Sequence, residues 1–345
     1  MAQLDPGPLI ADLEGIELGS LDKEVLKHPK LGGVILFSRN FESREQLQGL
    51  VRCIREIRPE LVLCVDQEGG RVQRFKEGFT RLPPMGTIRQ IAAETGYTLA
   101  DSYISGAQSL AADLGYLMAS ELAAMDIDHS FTPVLDLDRD KSRVIGDRAF
   151  SDDPTETVEL ASAFIDGMTA AGMAATAKHF PGHGGVVEDS HLELPRDRRP
   201  YSDILQRDLV PFQQLKDQYV AVMTAHIVFE DIDTQPVSFS KRWLSDILRE
   251  DIGFSGLVVS DDLSMKGAAE CGDFKDRSRA ALEAGCDLIL LCNQRREAEF
   301  VLEFLEAEQL GKNGIANALK RKKQVVSSSV NEQMSRLKRV IESYV

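Results

Sequence analysis

The sequence predicts an α/β protein folded as one (β/α)8 TIM-type barrel with a C-terminal helical tail. Eight short apolar runs are bounded by turn residues, helix-length segments separate most of them, and nearly every run ends in a polar side chain. Short, nearly continuous apolar runs are typical of strands buried on both faces of a parallel sheet. Alternation of eight such runs with helices favours a barrel. An open doubly wound sheet is less favoured because the first run ends in Asp12-Leu-Glu-Gly15, which is not a Gly-rich phosphate turn.

The eight predicted strands divide the chain at nearly regular intervals. They span residues 8–12, 33–37, 61–66, 130–136, 174–178, 220–226, 256–261 and 287–291. Helices are predicted over 43–57, 99–125, 153–171, 202–215, 240–250, 273–284 and 296–305. Pro154 just inside one helix start and Gly172 just past its end are typical helix boundaries. We expect one catalytic domain over residues 1–345, with the barrel at about 8–305 and the tail, including a terminal amphipathic helix at 330–345, over 306–345.

Composition restricts the possible partners and location of the chain. Its 40 basic and 55 acidic residues give a net charge of −15, which disfavours binding to nucleic acid. No apolar run is long enough to span a membrane, and the first residues show no basic and apolar secretory signal. The five cysteines have no CxxC spacing and are typical of buried thiols in a reducing compartment. We therefore expect a cytoplasmic protein that binds neither nucleic acid nor membrane.

Polar side chains cluster where the predicted strands end. Active sites of (β/α)8 barrels lie at the carboxyl ends of the strands. The residues at these ends are Asp12, Glu14, Arg39, Asn40, Asp66, Gln67, Glu68, Asp136, Asp138, Lys178, His179, His226, Asp261, Asp262 and Asn293. A helix cap or a surface loop explains any single one equally well. Their convergence on one face of a barrel predicts a polar pocket.

The segment Lys178-His-Phe-Pro-Gly-His-Gly184 allows two interpretations. His179 and His183 have the i, i+4 spacing of zinc proteases, which makes a metal-dependent hydrolase one alternative. Pro181 and Gly182, however, interrupt the helix that such a site needs, and no Glu follows the first His. The second interpretation, a strand end followed by a Gly-rich loop without a metal, is favoured.

Asp189 and His191 lie two residues apart in that loop. This spacing lets the carboxylate accept a hydrogen bond from the imidazole Nδ1–H, which orients the ring and raises its basicity. A histidine so placed can donate and accept a proton near neutral pH. An Asx turn beside an exposed histidine is the alternative explanation.

Asp261 and Asp262 end the predicted strand 256–261. Side chains alternate along a strand, so the two carboxylates point in different directions if the strand continues through them. At least one carboxylate therefore faces the pocket, where it could be a nucleophile, a base or a metal ligand. A helix N-cap explains either acid alone.

At these residues the sequence resembles bacterial glycoside hydrolase family 3, and within it the single-domain β-N-acetylglucosaminidases of peptidoglycan recycling. The matching segments are Asp12-Leu-Glu-Gly15, Gly32 to Asn40, Asp66-Gln-Glu-Gly-Gly-Arg-Val-Gln-Arg74, Phe131 to Asp136, Gly146-Asp-Arg148, Lys178 to Gly184, Asp189-Ser-His191 and Ser260 to Met265. They run from near the start of the chain to about residue 265, and the strand pattern continues to about 293.

The resemblance implies a retaining mechanism with a covalent glycosyl-aspartate intermediate. Asp261 matches the nucleophile, His191 the proton donor and acceptor, and Asp189 its partner. Many relatives take an acid/base carboxylate from a second domain, whereas we expect none here, which agrees with a loop-borne histidine. The positions that match sugar-binding residues are Asp66, Arg74, Arg148, Lys178 and His179.

The resemblance also implies a small-molecule substrate, namely GlcNAc-1,6-anhydroMurNAc muropeptides from which terminal β-linked N-acetylglucosamine is removed. We expect a monomer that needs no cofactor and no metal, and a loop at 182–191 that closes over the substrate. A non-catalytic sugar-binding protein is a further alternative, which the intact Asp261 and the Asp189–His191 pair disfavour because a sensor needs no nucleophile.

Overall fold

The computed structural model describes residues 5–98, 105–139, 142–322 and 328–345. Its central element is a parallel sheet of eight strands, which we number β1 to β8 in chain order. They are Leu9–Asp12, Leu31–Leu36, Val62–Val65, His129–Ser130, Thr176–Phe180, Ala221–Thr224, Leu257–Asp262 and Leu288–Leu291. The spatial order is β4-β3-β2-β1-β8-β7-β6-β5, so the first and last strands of the chain pair in the middle. The predicted α/β barrel class is confirmed.

The segment that follows β4 closes the sheet into a barrel. Backbone hydrogen bonds link Thr176 N to the Thr132 oxygen at 2.9 Å, Lys178 N to the Pro133 oxygen at 3.1 Å, and Leu135 N to the Lys178 oxygen at 2.7 Å. The prediction of one strand over 130–136 was too long, since the regular strand covers His129–Ser130. Pro133 has no N–H to donate, so a regular ladder cannot continue through it.

Helices surround the sheet on its outer face. Their ranges are Ser20–Lys27, Arg44–Ile57, Ile88–Thr95, Gly106–Ala123, Pro154–Ala170, Tyr201–Asp203, Leu209–Gln214, Phe274–Ala284, Arg295–Ala307 and Ser328–Ile341, with π-helical turns at Ile204–Asp208 and Arg242–Asp251. The first residues of two predicted helices are N-caps: Ser43 Oγ accepts from Gln46 N at 3.1 Å, and Asp153 Oδ1 accepts from Thr155 N at 2.9 Å. The helices Ser20–Lys27 and Ile88–Thr95 were not predicted. Of the predicted helix 99–125, residues 99–104 lie outside the described part of the chain.

Two short strand pairs lie outside the barrel sheet, at its carboxyl end. Gln67–Gly69 pairs antiparallel with Val72–Gln73, and Arg196–Asp197 pairs parallel with Val228–Phe229. Gln67 and Val228 come shortly after barrel strands, whereas Arg196–Asp197 lies at the end of the loop that follows β5. Among the described residues, no helix combines the length and the apolar character needed to cross a membrane.

Side-chain alternation explains why the strands are apolar on both faces. Leu9 and Ala11 of β1 belong to the apolar layer between sheet and helices, while Ile10 belongs to a second cluster with Ile35 of β2 and Cys64 of β3 inside the barrel. Each strand is therefore buried on both sides, and the carboxylates Asp12, Asp261 and Asp262 lie at the carboxyl ends of their strands. This arrangement leaves the carboxyl end of the barrel for a polar site.

The terminal helix Ser328–Ile341 packs on Gly106–Ala123, as its amphipathic pattern predicts. Leu337 and Ile341 are buried against the main core. Gln333 Nε2 donates to Asp113 Oδ1 at 2.6 Å on the same face. The terminal helix is thus a further outer helix, whereas Ala316 and Leu319, earlier in the tail, join the buried cluster inside the barrel.

Candidate active site

A cavity of about 190 Å³ opens at the carboxyl ends of the barrel strands. Seven of the eight predicted site residues line it: Asp66, Arg74, Arg148, Lys178, His179, His191 and Asp261. The eighth, Asp189, is hydrogen-bonded to His191 at the mouth. The structure therefore brings all of the predicted residues together, although they are spread over almost 200 positions of the sequence.

One wall of the cavity is a network of opposite charges. Lys178 Nζ lies 2.9 Å from Asp66 Oδ1 and 2.6 Å from Glu68 Oε1. Arg148 donates to both oxygens of Glu68 at 2.8 Å, and Arg74 Nη2 lies 3.3 Å from Asp66 Oδ2. Two carboxylates thus alternate with three cations, so each carboxylate contacts two of the cations directly.

These pairs set the protonation states of the wall. Burial acts to raise the pKa of the Glu68 carboxyl, but the charges of Arg148 and Lys178 outweigh it and hold that pKa well below its usual value. The same competition lowers the pKa of Asp66, mainly through Lys178, and raises the pKa of Lys178. The wall is therefore fully ionised, with strong hydrogen-bonding groups fixed in place.

His179 is held by Asp136, which is buried beneath it. Asp136 Oδ2 lies 2.7 Å from His179 Nδ1, and Asp136 Oδ1 accepts from the backbone N–H of His183 at 2.7 Å. The pKa of Asp136 is lowered because the bonds and charge of His179 outweigh burial. An ionised partner at Nδ1 fixes the ring orientation and leaves Nε2 for another contact.

The adjacent acids at the end of β7 have different surroundings. Asp262 accepts from Ser264 N at 2.9 Å, Ser264 Oγ at 2.7 Å and Cys292 N at 3.0 Å. Asp261 Oδ1 accepts from Asp262 N at 2.8 Å, and Oδ2 has no hydrogen-bond partner in the described part of the chain. Both oxygens of Asp262 are therefore occupied by hydrogen bonds to Ser264 and Cys292, whereas Asp261 has an oxygen available to a ligand.

The pKa values of the two acids diverge as well. Burial raises the pKa of Asp262 to about 6. Burial acts on Asp261 in the same sense, but the neighbouring imidazoles, His179 foremost, outweigh it and lower its pKa. Of these two acids, Asp261 is thus the one that stays ionised to the lower pH, as suits a nucleophile or base next to the cavity.

The opposite wall is the loop that carries Asp189 and His191. Asp189 Oδ1 lies 2.8 Å from His191 Nδ1 and accepts from His191 N at 2.9 Å. The His191 side chain is 64% exposed, in contrast to the buried network across the cavity. The predicted pairing of the two side chains is present, with Nε2 as the ring nitrogen that Asp189 leaves free.

Comparison with known proteins identifies the family. Residues 10–325 match the glycosyl hydrolase family 3 N-terminal domain. The chain belongs to glycosyl hydrolase family 3. It is 50% identical to a β-hexosaminidase of Tolumonas auensis over 303 residues, which is 87% of each chain, and 52% identical to one of Alkalilimnicola ehrlichii over 301 residues, 87% of this chain and 84% of the relative.

A solved structure has the same architecture. NagZ from Neisseria gonorrhoeae, in complex with N-trifluoroacetyl-D-glucosamine, superposes with a TM-score of 0.88 at 38% identity and covers 99% of both chains. The predictions of a glycoside hydrolase of family 3 and of a (β/α)8 barrel are therefore confirmed.

The family 3 site also contains residues that sequence reasoning did not select. Glu68 and Asp136 were grouped with the strand-end side chains but given no role, His183 was considered only as a ligand in the metal-dependent alternative, and Ser190 was noted only as part of a motif. Glu68 meets Lys178 and Arg148, which are more than 75 residues away in sequence. The position of Glu68, two residues after Asp66, indicated a place near the cavity. The spacing of residues in the sequence did not reveal Lys178 and Arg148 as its partners.

The zinc-protease alternative predicted a metal between His179 and His183. Their ring centroids are 6.0 Å apart, and each ring is hydrogen-bonded to a different side chain, Asp136 and Ser190 respectively. Within the described ranges, no group of three His, Cys, Asp or Glu side chains is arranged to hold a metal ion. This geometry favours the interpretation of residues 178–184 as a strand end followed by a loop.

Proposed function

We propose that the chain is a retaining β-N-acetylhexosaminidase that removes terminal, non-reducing β-linked N-acetylglucosamine. The natural substrates in this proposal are peptidoglycan fragments with a 1,6-anhydroMurNAc aglycone. The observation that carries it is the pairing, in one cavity, of an ionised Asp261 that has a free oxygen with a histidine whose Nδ1 is bound by Asp189.

In the first step, Asp261 attacks the anomeric carbon. A bond forms between the carboxylate oxygen and this carbon while the bond to the glycosidic oxygen breaks. His191 Nε2–H donates its proton to the departing oxygen, and Asp189 stabilises the ring in the charged form that precedes the transfer. The products of this step are a glycosyl-aspartate, a neutral His191 and the free aglycone alcohol.

In the second step, water replaces the aglycone. Neutral His191 takes a proton from this water while the water oxygen bonds to the anomeric carbon, and the Asp261 carboxylate leaves. Two displacements at one carbon restore the β configuration. His191 is again protonated at the end, so the cycle closes without any other proton donor.

The charged wall is proposed to hold the sugar. Asp66 offers carboxylate oxygens, and Arg74, Arg148, Lys178 and His179 offer donors, which suits a ring bearing several hydroxyls. Because these groups are already paired, they are positioned before the ligand arrives. The similar Neisseria structure holds N-trifluoroacetyl-D-glucosamine, and the curated relatives are named β-hexosaminidases, which supports an N-acetylated amino sugar in this position.

The anomeric outcome of hydrolysis tests the proposal. An aryl β-N-acetylglucosaminide is hydrolysed in an NMR tube, and the configuration of the first-formed N-acetylglucosamine is recorded before it equilibrates. We expect the β anomer. Initial formation of the α anomer would exclude the two-step mechanism, and the absence of hydrolysis would exclude the activity.

The aglycone is tested separately with isolated muropeptides. Incubation with GlcNAc-1,6-anhydroMurNAc peptides should release N-acetylglucosamine, detected by chromatography and mass spectrometry. Turnover of the aryl glycoside without turnover of the muropeptide would retain the chemistry and reject the natural substrate. Cytoplasmic location and a monomeric state complete the proposal, and fractionation of cells and light scattering test them.

A further inference from the structure

Ser190 differs sharply from the two residues that flank it. Asp189 and His191 have side chains 37% and 64% exposed, whereas Ser190 is 1% exposed. Its Oγ lies 3.0 Å from His183 Nε2, and its backbone oxygen accepts from Gly267 N at 2.9 Å. The loop is therefore attached to the barrel at the residue between its two chemical groups.

His183 is itself fixed from below. Its backbone N–H donates to Asp136 Oδ1 at 2.7 Å, and the other Asp136 oxygen holds His179 at 2.7 Å. Ser190 is thus connected through two buried residues to the wall of the cavity that faces Asp261. A displacement of the loop would break a contact at the buried end of this chain.

The protonation state of His183 assigns the donor in the Ser190 bond. Burial, followed by the charge of His179, lowers the pKa of His183, so its ring is neutral near pH 7. His183 Nδ1 is buried with no partner in the described part of the chain. An unpaired acceptor is tolerated better than an unpaired N–H, so the proton lies on Nε2 and is donated to Ser190 Oγ.

The second contact that attaches the loop is the hydrogen bond from Gly267 N to the backbone oxygen of Ser190, which requires the two backbones to lie close together. A Cβ added at residue 267 would lie 3.2 Å from the Ser190 oxygen and 2.9 Å from His226 Cβ. The missing side chain is what lets the two backbones come within hydrogen-bond distance. Ser190 is therefore held on both its side chain and its backbone.

His191, by contrast, has little else to fix its position. In the described part of the chain, its hydrogen bonds go to Asp189 alone, and both side chains face solvent. A proton donor of this kind samples many positions unless the adjacent backbone is restrained. Misplacement of a catalytic group by about 1 Å can reduce a rate by about a hundredfold.

We propose that Ser190 is the positioning residue of the loop: its contacts with His183 and Gly267 hold His191 at the glycosidic oxygen. The proposal rests on the proposed function, in which His191 is the proton donor. Ser190 does not touch the substrate in this account, and it acts through the placement of His191. Loss of its hydroxyl should therefore affect the step that needs proton donation more than the step that does not.

The test compares Ser190→Ala with Ser190→Thr, which keeps the hydroxyl, and with Ser278→Ala. Ser278 is a matched control because it is also buried and its Oγ makes one hydrogen bond, to Phe274 O at 2.6 Å, within an outer helix. Each protein hydrolyses a 4-methoxyphenyl and a 2,4-dinitrophenyl β-N-acetylglucosaminide, whose leaving groups differ in their need for a proton. Hydrogen exchange of the peptide containing residues 186–194 is measured in parallel.

We expect Ser190→Ala to lower kcat/KM for the methoxyphenyl substrate by about ten- to a hundredfold and for the dinitrophenyl substrate by less than about threefold. Exchange of the loop peptide should increase, while Ser190→Thr and Ser278→Ala should resemble the parent. Equal losses on both substrates, or no loss on either, would overturn the proposal. The proposed function itself would be rejected if the parent protein hydrolysed neither substrate. It would also be rejected if His191→Ala lost the same fraction of kcat/KM on both substrates.

Discussion

The two walls of the cavity are built in opposite ways. The strand-end wall, formed by Asp66, Glu68, Arg148, Lys178 and His179, is a network of ion pairs and hydrogen bonds among buried or largely buried groups. The loop wall, formed by residues 189–191, exposes its two chemical groups and buries the serine between them. A ligand therefore meets a fixed surface on one side and a single attached loop on the other.

This difference follows from what each wall is proposed to do. Groups that hold a sugar gain affinity from being positioned in advance, which buried ion pairs achieve. A group that donates and regains a proton in each cycle needs contact with water, which an exposed loop provides. The comparison predicts that substitutions in the strand-end wall reduce both stability and activity, whereas substitutions of the exposed Asp189 and His191 in the loop wall reduce activity alone.

The largest effect is expected for Asp261, the strand-end acid with a free oxygen. Asp261→Asn keeps the size of the side chain but removes the nucleophile, so kcat should fall by about 10⁴-fold or more. Turnover of an aryl β-N-acetylglucosaminide measures this loss. Asp262→Asn is the matched control, because the Asp262 carboxylate already accepts hydrogen bonds from Ser264 and Cys292. This variant should lower kcat by less than about tenfold.

The next effect is expected for His191. His191→Ala should slow substrates with poor leaving groups by about 10²- to 10⁴-fold and those with good leaving groups much less, because only the former need a proton. A series of aryl glycosides with leaving groups of graded acidity measures the dependence. A uniform loss across the series would mean that His191 shapes the loop without transferring a proton.

Lys178→Met tests the strand-end wall directly. The substitution leaves Asp66 and Glu68 close together without the cation between them, which should lower the free energy of unfolding by about 3 kcal/mol and raise KM. Urea unfolding and steady-state kinetics measure the two effects. A variant as stable as the parent would show that the wall is not held by these pairs.

Asp189→Asn is the corresponding change in the loop wall. The free energy of unfolding should change by less than about 0.5 kcal/mol because the carboxylate is partly exposed. Activity on poor leaving groups should still fall, on the order of ten- to a hundredfold, since the charged partner of His191 is lost. Stability loss equal to that of Lys178→Met would remove the distinction between the two walls.

The smallest effect concerns pH. The lowered pKa of Asp261 keeps it ionised as pH falls, so the acid limb of kcat/KM should lie below the ordinary range of an aspartate. His179 is the foremost neighbour that lowers this pKa. His179→Gln should therefore raise the pKa of Asp261 and move the acid limb to higher pH, as a pH profile would show.

The fold was largely predictable because burial leaves a repeated pattern. Strands buried on both faces appear as apolar runs, and the polar residues at their ends mark the open end of the barrel. The strand at 130–136 was overestimated because Pro133 sits in an apolar segment that is extended but not regularly paired. Apolar character indicates that this segment is buried. It does not indicate which backbone N–H groups can form the hydrogen bonds of a regular strand.

The site was predictable where chemistry depends on neighbours in sequence. The spacing of Asp189 and His191 predicts their hydrogen bond, which the structure contains. Glu68 could not be assigned a role in the same way, because its partners come from β5 and from the segment near residue 148. The proposed role of Ser190 is harder still to predict from the sequence. It depends on the hydrogen bond between Ser190 and the buried His183.

A trapping experiment determines whether Asp261 or the adjacent Asp262 is the nucleophile. A mechanism-based fluorosugar is incubated with the protein, and the labelled residue is mapped by mass spectrometry. We expect one label, on Asp261. A label on Asp262, or a catalytically active protein that forms no covalent adduct, would contradict it.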